Sequence, residues 1–287
     1  MVQSRCAINR VTMPLNAFQQ VDIENSTVKT ICIIGDSNSN SILNIQNAKI
    51  DNLEFEKVFN KGSITLRDIR IADHGTVSFR SSNLGKTDFI LCDFTRAKLI
   101  FENSKLTESF FAESSFPRIV IGRGGINHNQ AQLAFGQIAA AYQRQGDNVR
   151  ALEYNAREVE ALYRATRWKS WDILKKFNLW LNFISNNFGR YWMLGVVFSV
   201  FVGLLFFCFL LITTDKYEIG FPTIESTLVP VYLRFMNPIR FVDLESLFGA
   251  VSVKLNNWSY FWDLLGRVFL TYGYYQTIQA FRRYGRK

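Results

Sequence analysis

A run of 23 residues without a charged side chain, 192–214, constrains this chain more than any other feature of its sequence. It reads WMLGVVFSVFVGLLFFCFLLITT. An α-helix rises about 1.5 Å per residue, so the run would extend roughly 34 Å, enough to cross a hydrocarbon core of about 30 Å. The sequence therefore predicts a membrane-spanning helix here. The alternative is a helix buried in the core of a soluble domain.

A second, weaker candidate span covers about residues 259–281, where Asp263 and Arg267 interrupt the apolar sequence. Each charge alone would cost about 2.5–3.5 kcal/mol at the centre of a membrane helix, but residues four apart share a helix face and can pair. The basic residues at 282–287 favour a cytoplasmic C-terminus, and residues 1–14 lack the apolar core of a signal peptide. With both termini in the cytoplasm, the number of crossings is even. We therefore expect residues 191–287 to form a two-helix transmembrane hairpin in a bacterial inner membrane.

Polar residues recur at intervals of four through the second candidate span. They are Asp263, Arg267, Thr271, Tyr275 and Gln279. A polar stripe on a membrane helix faces protein or water, not lipid. In a subunit with two spans, an axis shared by several copies would provide such a place, so these five residues are candidates to line a pore. The alternative is that they pack against the first span of the same subunit.

Residues 168–190 precede the first span and combine aromatic residues with lysines. Helical spacing and this composition are typical of a helix lying in the headgroup layer, where Trp and Lys anchor it. The candidate membrane anchors are Trp168, Trp171, Lys175, Lys176 and Trp180. A plain amphipathic connector packed on the soluble domain is the alternative.

The net charge of +9 is unevenly placed: residues 1–120 are close to neutral, and the excess lies in 121–190 and at the C-terminus. Cations placed beside a hydrophobic span favour anionic lipid as their partner over nucleic acid bound by a separate domain. The four cysteines are scattered, the chain has only two histidines, and no nucleophile, zinc or nucleotide-binding motif is present. We expect no enzyme activity, no metal and no cofactor.

The N-terminal half carries a five-residue period. Apolar residues recur at Phe79, Leu84, Phe89, Phe94 and Leu99, and after a slip of two positions the period resumes at Phe101, Leu106, Phe111 and Phe116. Neither a helix nor a flat strand has this period, whereas a four-sided coil with one large inward residue per side does. Residues 1–122 are therefore expected to form a β-solenoid. An ordinary domain of short strands is the alternative.

The triplets Ser82-Asn83-Leu84, Thr87-Asp88-Phe89 and Cys92-Asp93-Phe94 resemble the pentapeptide-repeat family. That resemblance implies a right-handed β-solenoid. A fold of this kind does not by itself indicate a particular activity.

Residues 123–167 are alanine-rich and broken at Gly146-Asp147, which predicts a helical pair. The whole arrangement resembles bacterial pentapeptide-repeat membrane proteins of the ion-channel type, and also the transmembrane effectors of Hailong anti-phage systems. The second resemblance implies a channel held shut by a nucleotide or oligonucleotide. The candidate ligand-binding residues are Arg144, Arg150, Arg157 and Arg164.

The sequence thus predicts a homo-oligomeric membrane channel or pore-forming effector, with a tetramer as the expected assembly, gated by its cytoplasmic domain. The main alternative is a non-conducting, membrane-anchored scaffold whose solenoid recruits a protein partner. A nucleic-acid-binding protein at the membrane is a third reading, compatible with the first if the nucleic acid acts as a gate.

Overall fold

The computed structural model describes residues 7–106, 108–122, 125–169, 171–214, 228–239, 244–248 and 255–285. The chain divides into two compact units, residues 1–173 and residues 174–287.

The first unit is a β-solenoid followed by two helices. Its strands are β1 (Ala7–Pro14), β2 (Gln20–Glu24), β3 (Thr27–Asp36), β4 (Ile42–Phe59), β5 (Ser63–Arg80), β6 (Thr87–Ile90), β7 (Lys98–Glu102), β8 (Phe110–Ala112), β9 (Ile121–Gly122) and β10 (Gly125–Ile126). Its helices are α1 (His128–Arg144) and α2 (Asn148–Ala165). The prediction of a solenoid is confirmed, with about five turns.

Strands of successive turns pair in parallel, and the paired residues show the length of one coil. Phe79 pairs with Phe101, and Phe89 pairs with Phe111. Both pairs are 22 residues apart, which is four sides of five residues plus the two-residue slip seen in the sequence. All nine apolar landmarks of the five-residue period are buried. The period therefore reports the inward-facing positions of the coil.

The solenoid core is an aromatic column. The rings of Phe55 and Phe79 stack with centroids 5.3 Å apart, and those of Phe89 and Phe111 lie at the same distance. Small residues close the corners beside this column: the hydroxyl of Ser104 accepts a hydrogen bond from the amide of Ser82 over 3.1 Å. Close aromatic packing and satisfied backbone groups stabilise the stack of coils.

One corner of each coil takes a left-handed backbone conformation. Its residues, one per turn, are Asn25, Asn47, Asp68, Leu91 and Glu113. Asn and Asp tolerate positive φ, whereas Leu does so only at a cost. The corner is thus defined by the coil geometry and not by a fixed residue type.

Helix α1 covers the last coils of the solenoid. The side-chain oxygen of Gln137 accepts from the amide of Leu106 over 2.6 Å, and its amide donates to the carbonyl of Ser104 over 2.8 Å. The hydroxyl of Tyr142 donates to the carbonyl of Ser114 over 2.7 Å. These side chains satisfy backbone groups for which no further coil provides a partner.

The second unit consists of helices. They are α3 (Ile173–Asn186), α4 (Trp192–Ile212), α5 (Leu228–Phe235) and α6 (Asn257–Gly285). Among the described residues, α4 is the one helix both long and apolar enough to cross a membrane, with a mean hydropathy of 2.9. Helix α6 contains the second expected span, which is helical throughout, but its sequence is not apolar enough to meet the same criterion.

Helices α4 and α6 run antiparallel and pack closely through small residues. A Cβ atom at Gly273 would overlap the side chain of Ser199, and one at Gly195 would overlap that of Thr277. At the opposite end, the hydroxyl of Ser259 donates to the carbonyl of Thr213 over 3.1 Å. Small residues on facing positions allow two backbones to approach, as is common between membrane helices.

Candidate functional site: the polar face of α6 and a basic cavity at the end of the solenoid

The five residues predicted to line a pore do not point in one direction on α6. Asp263 is buried, Arg267 and Gln279 are partly buried, and Thr271 and Tyr275 are exposed. Four residues advance a helix by more than one turn, so a stripe with this spacing winds around the axis. The predicted stripe therefore begins at a buried position, reaches the surface at Thr271 and Tyr275, and is partly buried again at Gln279.

Asp263 and Arg267 form an ion pair. A carboxylate oxygen of Asp263 lies 2.9 Å from Nε of Arg267, and 31 % of the Arg267 side chain remains exposed. Removing either partner alone would leave a charge that is expensive to bury. The pair makes the polar centre of α6 neutral while part of the Arg267 side chain stays at the surface.

The exposed face of α6 around Arg267 is largely apolar. Phe261, Leu264, Val268 and Ile278 are exposed on this face, together with Thr271 and Tyr275. The Thr271 hydroxyl donates to the carbonyl of Arg267 over 2.7 Å, so its hydrogen-bonding capacity is partly used within the helix. This surface is therefore mostly apolar, and its polar groups are the hydroxyls of Thr271 and Tyr275 and the exposed part of the Arg267 side chain.

Helix α3 also exposes apolar residues. Ile173, Leu174, Phe177 and Trp180 are exposed on it, and Trp171 just before it is 98 % exposed. Trp168 and Lys175 are exposed too, as anchors in a headgroup layer would be, whereas Lys176 is buried. Four of the five predicted anchors thus lie on the surface.

In the first unit, a cavity of about 590 Å³ lies between the last coils of the solenoid and α2. Two of the four predicted ligand-binding arginines, Arg150 and Arg157, line it. Arg144 and Arg164 do not, and Arg164 instead pairs with Glu160 over 2.8 Å.

Aromatic rings hold the two cavity arginines in place. The guanidinium of Arg157 lies 4.7 Å from the centroid of the Tyr154 ring, and that of Arg150 lies 5.7 Å from the centroid of Tyr142. Burial raises the pKa of Tyr142 to about 12 and also raises the pKa of Tyr154, so both rings stay neutral. Stacking on neutral rings restrains the guanidinium groups of these two lining residues.

Sequence reasoning missed three further cations of this cavity: Arg96, Lys98 and Arg118. The length of one coil, 22 residues, could have revealed two of them. Asp93 pairs with Ser115 in the neighbouring coil, so Arg96 and Arg118 occupy equivalent positions. Applying the 22-residue register to charged residues would have placed these two arginines side by side.

Comparison with protein-family models, with curated proteins and with solved structures found no match for this chain.

Proposed function

We propose that this chain is a membrane protein whose C-terminal helices form an ion-conducting path in a homo-oligomer, under the control of its N-terminal domain. The bacterial inner membrane is the proposed location, with both termini in the cytoplasm. A tetramer is the proposed assembly, and a nucleotide or oligonucleotide, in a setting of anti-phage defence, remains the regulator predicted by resemblance.

Exposed apolar surface supports the membrane part of the proposal. Only 39 % of the most apolar window of α4 is buried, whereas the core helix of a soluble protein is mostly buried. Exposed apolar residues on α4 include Val197, Phe201 and Leu204, and α3 and α6 expose apolar residues as well. A surface of this extent requires lipid or protein to cover it.

We infer that α6 is the second span, although its composition is less apolar. Its two central charges are paired, its outward face is largely apolar, and it packs along α4 through glycines. Pairing lowers the cost of charges at membrane depth, and close packing of small residues stabilises two helices in lipid. These contacts support the proposed two-helix hairpin.

The observation that carries the conduction proposal is the partial exposure of the Arg267 side chain. A guanidinium has five N–H donors, and a single carboxylate can accept at most two of them in a fork-to-fork pair. Because 31 % of the Arg267 side chain is exposed on a largely apolar face, its remaining donors need water or polar groups of another subunit. An axis shared between subunits supplies both.

Ion leakage from liposomes tests this proposal. The charge-free variant Asp263→Asn plus Arg267→Gln removes both charges together, so no buried charge is left without its partner. We expect the wild type to release ions and this variant to change the rate and the ion selectivity. The matched control is Val197→Leu plus Phe201→Leu on the exposed face of α4, which should leave both unchanged. Leakage no greater than from protein-free liposomes, for wild type and variants alike, would contradict conduction.

A second candidate function is a membrane-anchored scaffold that does not conduct. The burial of Asp263 and Gln276 favours it, because polar residues sealed between helices of one subunit can act as adhesive contacts. In that case the solenoid would recruit a protein partner. Membrane depolarisation on expression separates the two candidates: a channel depolarises the cell, and a scaffold does not.

A further inference from the structure

The cavity at the end of the solenoid has a strong excess of positive charge. Five cations line it, Arg96, Lys98, Arg118, Arg150 and Arg157, together with a single acidic residue, Glu153. Glu153 is already held by Arg157, with an Nη to carboxylate distance of 2.6 Å. The lining residues therefore carry a net charge of +4, and the excess is +2 once the acidic partners of Arg96 and Arg150 outside the lining are counted.

Within the described residues, two of these cations have no acidic partner. Arg96 pairs with Asp73 over 3.1 Å, and Arg150 lies 3.7 Å from Asp147. Lys98 and Arg118 form no ion pair with any residue in the described part of the chain. Like charges brought together without a counter-ion repel one another, so an anionic ligand would relieve the repulsion.

The deeper wall of the cavity is pre-ordered. The side chain of Arg157 is 14 % exposed, it stacks on Tyr154, and it donates to the carbonyl of Phe116 over 3.4 Å. Tyr154 is itself fixed, because its hydroxyl accepts from the amide of Phe116 over 3.1 Å. A cationic group held in this way loses little conformational entropy when it binds a ligand.

The basic lining is compact and does not form a track. Arg144 at the end of α1 does not line the cavity, and Arg164 further along α2 lies outside it and pairs with Glu160. The lining thus lacks the long line of cations that a groove for a long polymer would require. The cavity volume of about 590 Å³ lies in the range of 300–1,000 Å³ that is typical for small-molecule sites. Clustered guanidinium groups are well matched to phosphate oxygens.

We propose that this cavity is a binding site for a small soluble molecule that carries two or more linked phosphates. Lys98 and Arg118 contact the outer phosphate, and Arg157 contacts the group deepest in the cavity. This proposal does not depend on ion conduction, because it concerns residues of the N-terminal unit alone.

Isothermal titration of the full-length chain in detergent with pyrophosphate tests the site. The variant Lys98→Ala plus Arg118→Ala removes two exposed cations whose side chains make no ion pair, so the fold should be kept. We expect the wild type to bind saturably and this variant to bind at least about tenfold more weakly. The matched control, Lys29→Ala plus Lys61→Ala, removes the same charge from exposed positions elsewhere on the solenoid and should bind like the wild type.

Three results would overturn the proposal. They are the absence of saturable pyrophosphate binding by the wild type, equal weakening in both double variants, and binding of sulfate as tight as that of pyrophosphate. The first excludes the site, the second reduces it to general charge attraction, and the third removes the selectivity for linked phosphates. Since titration needs no ion flux, failure of this proposal and failure of conduction are separately visible.

Discussion

The side-chain amide of Asn186 donates a hydrogen bond to the side-chain oxygen of Gln276 over 2.8 Å, and both residues are buried. Asn186 is the last residue of α3, and its side-chain oxygen accepts from the amide of Gly189 over 2.7 Å. The turn into α4 passes through left-handed conformations at Asn187, Phe188 and Gly189. The Asn186 side chain thus links the end of α3 and the turn before α4 to α6.

Replacing Gln276 with Met should destabilise the helical unit. The variant keeps the length of the side chain but leaves the amide of Asn186 buried without its acceptor, which costs about 1–3 kcal/mol. The measurement is the thermal unfolding midpoint of the full-length chain in detergent. Ile278→Met, two residues further on α6 at an exposed position, is the matched control and should unfold like the wild type. Equal midpoints for both variants would show that the amide pair contributes nothing.

Replacing Gln137 with Leu should weaken the end of the solenoid. Gln137 forms hydrogen bonds with the amide of Leu106 and the carbonyl of Ser104 at the same time. Its replacement leaves both backbone groups without these partners, which costs about 1–3 kcal/mol for each group that stays buried. Gln143→Leu makes the same chemical change at an exposed position of the same helix. Hydrogen exchange of residues 98–116 should rise in Gln137→Leu and not in Gln143→Leu. Unchanged protection in both would contradict a capping role for Gln137.

Replacing Leu91 with Asn should stabilise the solenoid. Leu91 has φ of +54°, and the equivalent corners of three other coils carry Asn or Asp. Since Leu91 is 48 % exposed, little buried apolar surface is lost, and relief of backbone strain should raise the free energy of unfolding by up to about 1 kcal/mol. Ile119→Asn, at an exposed residue without positive φ, should give no such gain in thermal unfolding. A lower midpoint for Leu91→Asn would refute the strain argument.

Replacing Glu158 with Gln should stabilise the chain at neutral pH. The Glu158 carboxyl packs over Gly136 of α1, and burial raises its pKa. A carboxyl whose pKa is raised by folding destabilises the folded state where it is ionised, and the penalty fades as the pH falls through the folded pKa toward the usual glutamate value of about 4.3. We expect a gain of less than about 1 kcal/mol at pH 7 that shrinks toward pH 4.

The pH dependence of thermal unfolding measures this effect. Glu24→Gln, at an exposed position of β2, is the control and should show no gain that disappears on acidification. A gain in Glu158→Gln of the same size at pH 7 and pH 4 would show that it does not arise from the charge.

Several structural features could be predicted from the sequence because they follow from local patterns. The five-residue period marked Phe79, Phe89 and the other inward positions of the coil, and the uncharged run marked α4. The break between α1 and α2 was visible as Gly146, which has φ of +79°. Periodicity reports which side of an element is buried, so it carries this information without knowledge of the tertiary structure.

The sequence predicted only some of the cations that line the basic cavity. Arg150 and Arg157 follow from helical spacing on α2, but Arg96 and Arg118 come from separate coils that only stacking brings together. Likewise, spacing alone put Asp263 and Tyr275 on one stripe, whereas the structure buries the first and leaves the second exposed. Spacing gives an angle around a helix and does not say which side the neighbours occupy.

By itself, the sequence determined that this chain winds its N-terminal half into a coil and carries one strongly apolar helix. Both follow from the periodic placement of apolar side chains, which the hydrophobic effect turns into structure. Only the tertiary structure decided which cations share a cavity and which polar residues of α6 are buried. Those contacts join residues far apart in the chain, and their distances depend on how coils and helices pack.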